Sequence, residues 1–155
     1  MTVDMYFPAS VREIKPEPDM SEVWIKGCET ILIVDDEALF IEVAREILET
    51  LGYRVLTTRS GIEAVTLYQS RMEEIDLVIL DMIMSGMGGG ETLDRLKSMD
   101  PQVKVILSSG YSLIGQAKLI MDQGCSSFIQ KPFKIQELSQ KIREVLDQEK
   151  TRAFA

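Results

Sequence analysis

The sequence contains no histidine. That removes the side chain best suited to acid-base work near neutral pH and the commonest imidazole metal ligand, leaving carboxylates, hydroxyls and amines to do any chemistry. Cysteine is scarce: Cys28 and Cys125 form neither a disulfide framework nor a CxxC metal site, which fits two structural thiols in a reducing compartment. Basic residues are in deficit, 17 against 25 acidic ones, and the net charge of −8 argues against a nucleic-acid surface. No apolar run approaches membrane-spanning length, and no basic segment followed by an apolar one opens the chain, so a cytoplasmic location without membrane contact is expected. The 155 residues suffice for one domain with a proper core plus a modest extension.

What the sequence does have is a set of short apolar runs that end in polar residues. TILIVDDE, Thr30 to Glu37, places Asp35 and Asp36 directly after one run, and DLVILD ends another at Asp81. VKVIL runs into Ser108, Ser109 and Gly110, and SSFIQ runs into Lys131 and Pro132. Taken singly, an Asp or Ser after a strand is commonly a helix N-cap and a lone Lys is usually solvated. Four polar strand ends of matched chemistry are harder to assign to capping. Three carboxylates brought to one sheet edge repel one another, an arrangement that makes sense mainly around a hard cation such as Mg²⁺.

The organisation supports that convergence. Residues 1–29 are charged and broken by Pro16 and Pro18, and read as a linker with a fragment of something upstream. Strands and helices then alternate. Helices are expected over about 37–51, from about 61, over about 91–100, over about 113–123 and over about 135–148, with Gly52, Pro101 and Gly124 as stops. On the first helix Phe40, Val43, Ala44, Ile47, Leu48 and Leu51 account for a buried face, leaving Leu39 and Ile41 surplus. Five strands alternating with five helices predict a parallel sheet covered on both faces, an α/β three-layer sandwich of (βα)5 type. A flavodoxin-like strand order, 2-1-3-4-5, makes the first and third strands neighbours at the switch point and so brings Asp35, Asp36 and Asp81 together.

VDDE after the first strand, DMIMSGMGG from Asp81, SSGY after the fourth strand and FIQKPF around Lys131 together resemble the receiver domain of two-component response regulators, over about residues 30–148. The resemblance implies a phosphorelay function in which Asp81 is the phosphoacceptor and takes its phosphoryl group from a phosphohistidine on a histidine kinase or histidine phosphotransfer protein. It also implies that the domain catalyses its own phosphorylation and dephosphorylation. By the same resemblance Asp35, Asp36, Asp81 and the main-chain carbonyl of Ile83 hold Mg²⁺, or Mn²⁺ in its place. Lys131 and Ser109 contact the phosphoryl group, Met82 and Gly110 offer backbone N–H groups to it, and Ser109 with Phe128 forms the switch. The Lys131–Pro132 bond is expected to be cis.

A second, shorter resemblance lies upstream. VDMYFPAS, a Pro- and Glu-rich spacer and GCETILIVDDE look like the tail of a kinase ATP-binding domain running into the C-terminal receiver of a hybrid sensor histidine kinase. Residues 149–155 read as a C-terminal tail. Three departures from the receiver pattern stand out. Ser85 occupies a position usually held by Pro, Gly88 one frequently acidic, and Phe128 one often held by Tyr. The first two predict a loose loop after Asp81, Gly86, Gly89 and Gly90 adding to it. The competing reading is a degenerate receiver that only mediates contacts, which the intact Asp35, Asp36, Asp81, Ser109 and Lys131 count against. Beside the pocket, Ile83 offers no group to orient a hydrolytic water and Tyr111 is large enough to shield the site, so a long-lived phosphoryl group is expected.

Overall fold

The computed structural model describes residues 24–110, 122 and 124–152. The apolar runs form five short strands: β1 Thr30–Val34, β2 Arg54–Thr58, β3 Leu77–Asp81, β4 Val105–Ser109 and β5 Ser127–Gln130. They build one parallel sheet in the order β2-β1-β3-β4-β5, as the flavodoxin-like reading expects. The helices are α1 Ala38–Thr50, α2 Gly61–Arg71, α3 Gly89–Met99 and α4 Ile135–Arg152. The helix expected over 113–123, and Tyr111 with it, lie outside the described residues.

Strands β1, β3 and β4 are buried along their whole length, which is why their sequences are continuously apolar rather than alternating. The period-2 geometry still sorts them by face. Ile31, Ile33 and Ile79 pack with Ile41, Ala44 and Leu48 of α1 and with Leu138, Ile142 and Val145 of α4. Leu32, Val34 and Leu80 pack with Ala64 and Tyr68 of α2 and with Leu93 and Leu96 of α3. Side chains such as Leu48, Leu93 and Ile142, none with any exposure, each contribute about 1.5–3 kcal/mol of burial.

Local signals fix the ends of these elements. Ser60 caps α2 by accepting the Glu63 N–H, while the Glu63 carboxylate reaches back to the Arg59 N–H, a reciprocal arrangement close to a capping box. Helix α1 closes with Gly52 at φ +96°, where Gly52 N–H donates to Glu49 O and Tyr53 N–H to Leu48 O, the paired bonds of a Schellman end. Helix α4 runs to Arg152, four residues past the expected end at 148.

Two expectations for α1 and the upstream segment change. Ile41 is buried and Val43 is 50% exposed, the reverse of the expected assignment, because α1 turns its stripe toward both Ile33 and the start of α4; Leu39 is exposed at 74%, as expected of a surplus residue. Residues 24–29 are no free linker. Gly27 N–H donates to Leu51 O, Arg54 N–H to Glu29 O, and the Glu29 carboxylate takes a two-pronged pair from Arg143 on α4 at 2.8 and 2.9 Å. That clasp, partly shielded from water, pulls Glu29 down to a pKa of about 2 through the Arg143 hydrogen bonds, against the opposing effect of burial. Cys125 is buried, as a structural thiol should be, whereas Cys28 is exposed.

Candidate functional site

The register of the sheet decides where the acids go. Val34 pairs with Leu80 across β1 and β3, so Asp35, one residue past β1, and Asp81, the last residue of β3, leave the same edge side by side. Asp36 joins them: one carboxylate oxygen from each of the three lies within 4.8 Å of the others. Asp35 is fully buried and Asp81 nearly so.

Lys131 enters from the end of β5, its N–H donating to Ser109 O at 2.8 Å, which ties it to the end of β4. The Lys131–Pro132 bond is cis, as expected. The ammonium donates to Asp35 Oδ2 at 2.5 Å and lies 3.2 Å from Asp81 Oδ1. The other oxygen of each carboxylate has a matching role. Asp35 Oδ1 accepts the Glu37 N–H at 2.9 Å and Asp81 Oδ2 the Ile83 N–H at 3.1 Å, so both aspartates fold the chain back two residues on while facing one cation. Capping therefore does not account for them: the N-cap of α1 is Glu37, with no side-chain bond.

The electrostatics follow from this crowding. Burial pushes the Asp81 carboxyl above the usual range; Lys131 works against that shift and neighbouring Asp35 adds to it. For Lys131, burial alone would depress the ammonium, but the hydrogen bond and charge of Asp35, then those of Asp81, outweigh it and raise the pKa. Asp36 is held below the usual range by the N–H and hydroxyl of Ser85.

Several expected site residues are placed by this geometry and one is corrected. Ser109 is fully buried at the end of β4, Gly110 is exposed just beyond it, and Phe128 is half-buried against the core under α2 and α3. Met82 does not offer a free N–H, because that group donates to Ser108 O at 2.9 Å at the end of the β3–β4 ladder; the N–H that faces the carboxylate is that of Ile83. The loop after Asp81 is also not slack. Gly89 packs so closely that a Cβ there would sit 2.4 Å from Asp81 O and 2.7 Å from Met82 Cα, and only glycine fits. Met84 and Met87 are buried beneath the same loop, so these methionines serve loop packing.

Two partners escaped the sequence reading. The Phe40 ring lies under the Lys131 ammonium, 3.9 Å from nitrogen to ring centroid, and is itself held edge-on by Phe133. Its place in an apolar helix stripe gave no hint of this. Ser85 donates both its N–H and its hydroxyl to Asp36 Oδ2, at 2.9 and 2.8 Å.

The response regulator receiver domain pattern matches residues 31–143. The chain belongs to the response regulator receiver family. This receiver shares 31% identity over 118 residues with sporulation initiation phosphotransferase F of Bacillus subtilis, covering 76% of the chain and 94% of that protein. It is 29% identical over 142 residues to sensor kinase CckA of Brucella abortus, which covers 92% of this chain but only 15% of the kinase. Among solved structures it resembles a chain of the CheX-CheY-BeF3-Mg+2 complex from Borrelia burgdorferi, with a TM-score of 0.73, 29% identity, and coverage of 76% of this chain and 88% of the other. The protein is thus a two-component receiver with the phosphoacceptor function of its family, carried on a flavodoxin-like fold. No described helix is long and apolar enough to cross a membrane.

Proposed function

We propose that Asp81 accepts a phosphoryl group from phosphohistidine on a histidine kinase or phosphotransfer protein. An Asp81 carboxylate oxygen attacks phosphorus as the P–N bond breaks, the imidazole nitrogen keeps that electron pair, and an acyl phosphate forms. The observation that carries this is the placement of Lys131 between Asp35 and Asp81: a half-buried ammonium already within reach of the nucleophile can turn to a phosphoryl oxygen as charge builds there. Ile83 N–H, Gly110 N–H and the Ser109 hydroxyl supply further donors. Drawing Ser109 toward the phosphoryl group lets Phe128 move inward, which is how the event reaches the surface around β5 and α4.

The acidic trio suits a hard divalent cation, since its donors are carboxylate oxygens gathered at a sheet edge with net negative charge. Asp35, Asp36, Asp81 and the Ile83 carbonyl would hold Mg²⁺ or Mn²⁺. The ion, when bound, supplies charge neutralisation for the transferring group.

Beside the pocket, a groove of about 470 Å³ runs between α1 and the turn before α4, lined by Phe40, Val43, Ile47, Lys131 and Phe133 among others. With Leu39 exposed on the same helix, α1, it supports docking of the phosphohistidine partner there. The match to CckA is longer than the chain from Thr30 onward, so it reaches into the segment before β1 and supports a place within a hybrid sensor kinase, with residues 1–29 joining an ATP-binding domain to the receiver at 30–148.

The test is intact-mass analysis after incubation with acetyl phosphate and Mg²⁺. Wild type should gain one phosphoryl adduct and Asp81→Asn none. An undiminished adduct on the variant would refute the assignment.

A further inference from the structure

Asp36 differs from the other two site carboxylates in how it is held. Asp35 and Asp81 share Lys131 and are buried at the sheet edge, whereas Asp36 sits one residue further out and only partly buried, and among the described residues its carboxylate has no ion pair. A carboxylate in that position would ordinarily sample several rotamers. Here two donors from one residue, the N–H and hydroxyl of Ser85, converge on a single oxygen, Oδ2, at 2.9 and 2.8 Å. The main chain is held as well, since the Arg59 guanidinium donates to Asp36 O at 3.2 Å. Both bonds fall on Oδ2, and among the described residues no other side chain donates to the Asp36 carboxylate, so Ser85 sets its orientation.

We propose that Ser85 is a positioning residue for the divalent cation: it sets the Asp36 carboxylate in its ligating orientation before the ion arrives. This rests on the proposed role of the acidic trio and adds a specific determinant to it. The chemistry is that of an outer partner orienting a metal ligand, where loss of the partner weakens binding although the ligand itself is intact. Residue type matters because both bonds come from one residue. Proline has neither donor, alanine keeps only the N–H, and threonine keeps both.

The experiment is calorimetric titration of the whole chain with Mg²⁺, without phosphodonor, for wild type, Ser85→Thr, Ser85→Ala and Ser85→Pro, with thermal melting of each in metal-free buffer. Ser85→Thr should match wild type. Ser85→Ala should bind more weakly and Ser85→Pro weaker still, by about tenfold, the low end of what loss of such partners costs. The melting temperature of Ser85→Ala should stay at the wild-type value, which separates orientation of the ligand from general stability. Equal or tighter Mg²⁺ binding by Ser85→Ala and Ser85→Pro overturns the proposal while leaving the acidic trio as the cation site. No Mg²⁺ binding by wild type overturns both. Should Ser85→Pro fail to fold, the Ser85→Ala and Ser85→Thr pair decides alone.

Discussion

Lys131 lies closer to Asp35 than to Asp81, 2.5 Å against 3.2 Å, so its principal partner is Asp35 and not the proposed phosphoacceptor. Asp35 thus holds the ammonium beside the proposed phosphoacceptor. Removing the ammonium strands a fully buried acid. Lys131→Met should destabilise the metal-free protein by about 3 kcal/mol, within the range for breaking a buried pair, and adding Asp35→Asn should recover part of that loss. Urea unfolding of the two single variants and the double variant measures the coupling. An unchanged midpoint for Lys131→Met would show that Asp35 does not depend on it.

The Glu29–Arg143 clasp makes a pH prediction of definite sign. Glu29 titrates at about 2 when folded against 4.5 as the ordinary value, so the unfolded chain binds its proton first. Its contribution is fully present above about pH 4.5 and is lost as pH falls through the folded value. The melting-temperature gap between wild type and Glu29→Gln should therefore be largest near neutral pH and close as pH falls toward 2. A gap independent of pH would mean that packing, not charge, fastens the segment.

Docking and chemistry are separable at Leu39. This side chain is 74% exposed on α1, the helix whose Phe40 and Val43 line the groove. Leu39→Asp should slow phosphotransfer from a phosphohistidine protein by tenfold or more, about the effect of losing one interface anchor. Labelling by acetyl phosphate should be unaffected. Parallel loss in both assays would place Leu39 in the chemistry or the fold instead.

Gly89→Ala tests the tight loop. The added methyl meets main-chain atoms of Asp81 and Met82, which cannot swing aside as a side chain can. A loss of about 1–3 kcal/mol is expected from this overpacking, read by urea unfolding. Gly90→Ala, with nothing within 4 Å of its Cβ, is the control.

The order and parallel sense of the strands were legible because apolar runs, glycine stops and prolines carry that information locally. So was the meeting of Asp35, Asp36, Asp81 and Lys131, since each terminates a run and the topology gathers the ends. What was hidden depends on side-chain direction. Ile41 and Val43 differ by two positions on α1, and which one is buried is set by how the helix is rolled against Ile33 and α4. Ser85 read as the loss of a rigid proline, although the same change supplies two donors to Asp36. Gly89 read as slack, although the contact that requires it comes from main chain seven and eight residues earlier. The resemblance made the Met82 N–H a hydrogen-bond donor to the phosphoryl group, and only the ladder reveals that β4 already uses it.

Glu29 and Asp35 flank the same strand, five residues of β1 that span about 17 Å at 3.3–3.4 Å per residue. The chain is therefore anchored at one pole of the sheet and does its chemistry at the other. Tension applied through Trp24 is met by the Gly27–Leu51 bond and then by Arg143 and Arg54 at Glu29, before it can reach the turn that bears Asp36. Arg143 belongs to α4, which also lines one side of the core beneath the pocket. A tug on the leash and a rearrangement at the nucleophile would thus converge on one helix, making α4 the part of the domain where mechanical and chemical inputs can be compared.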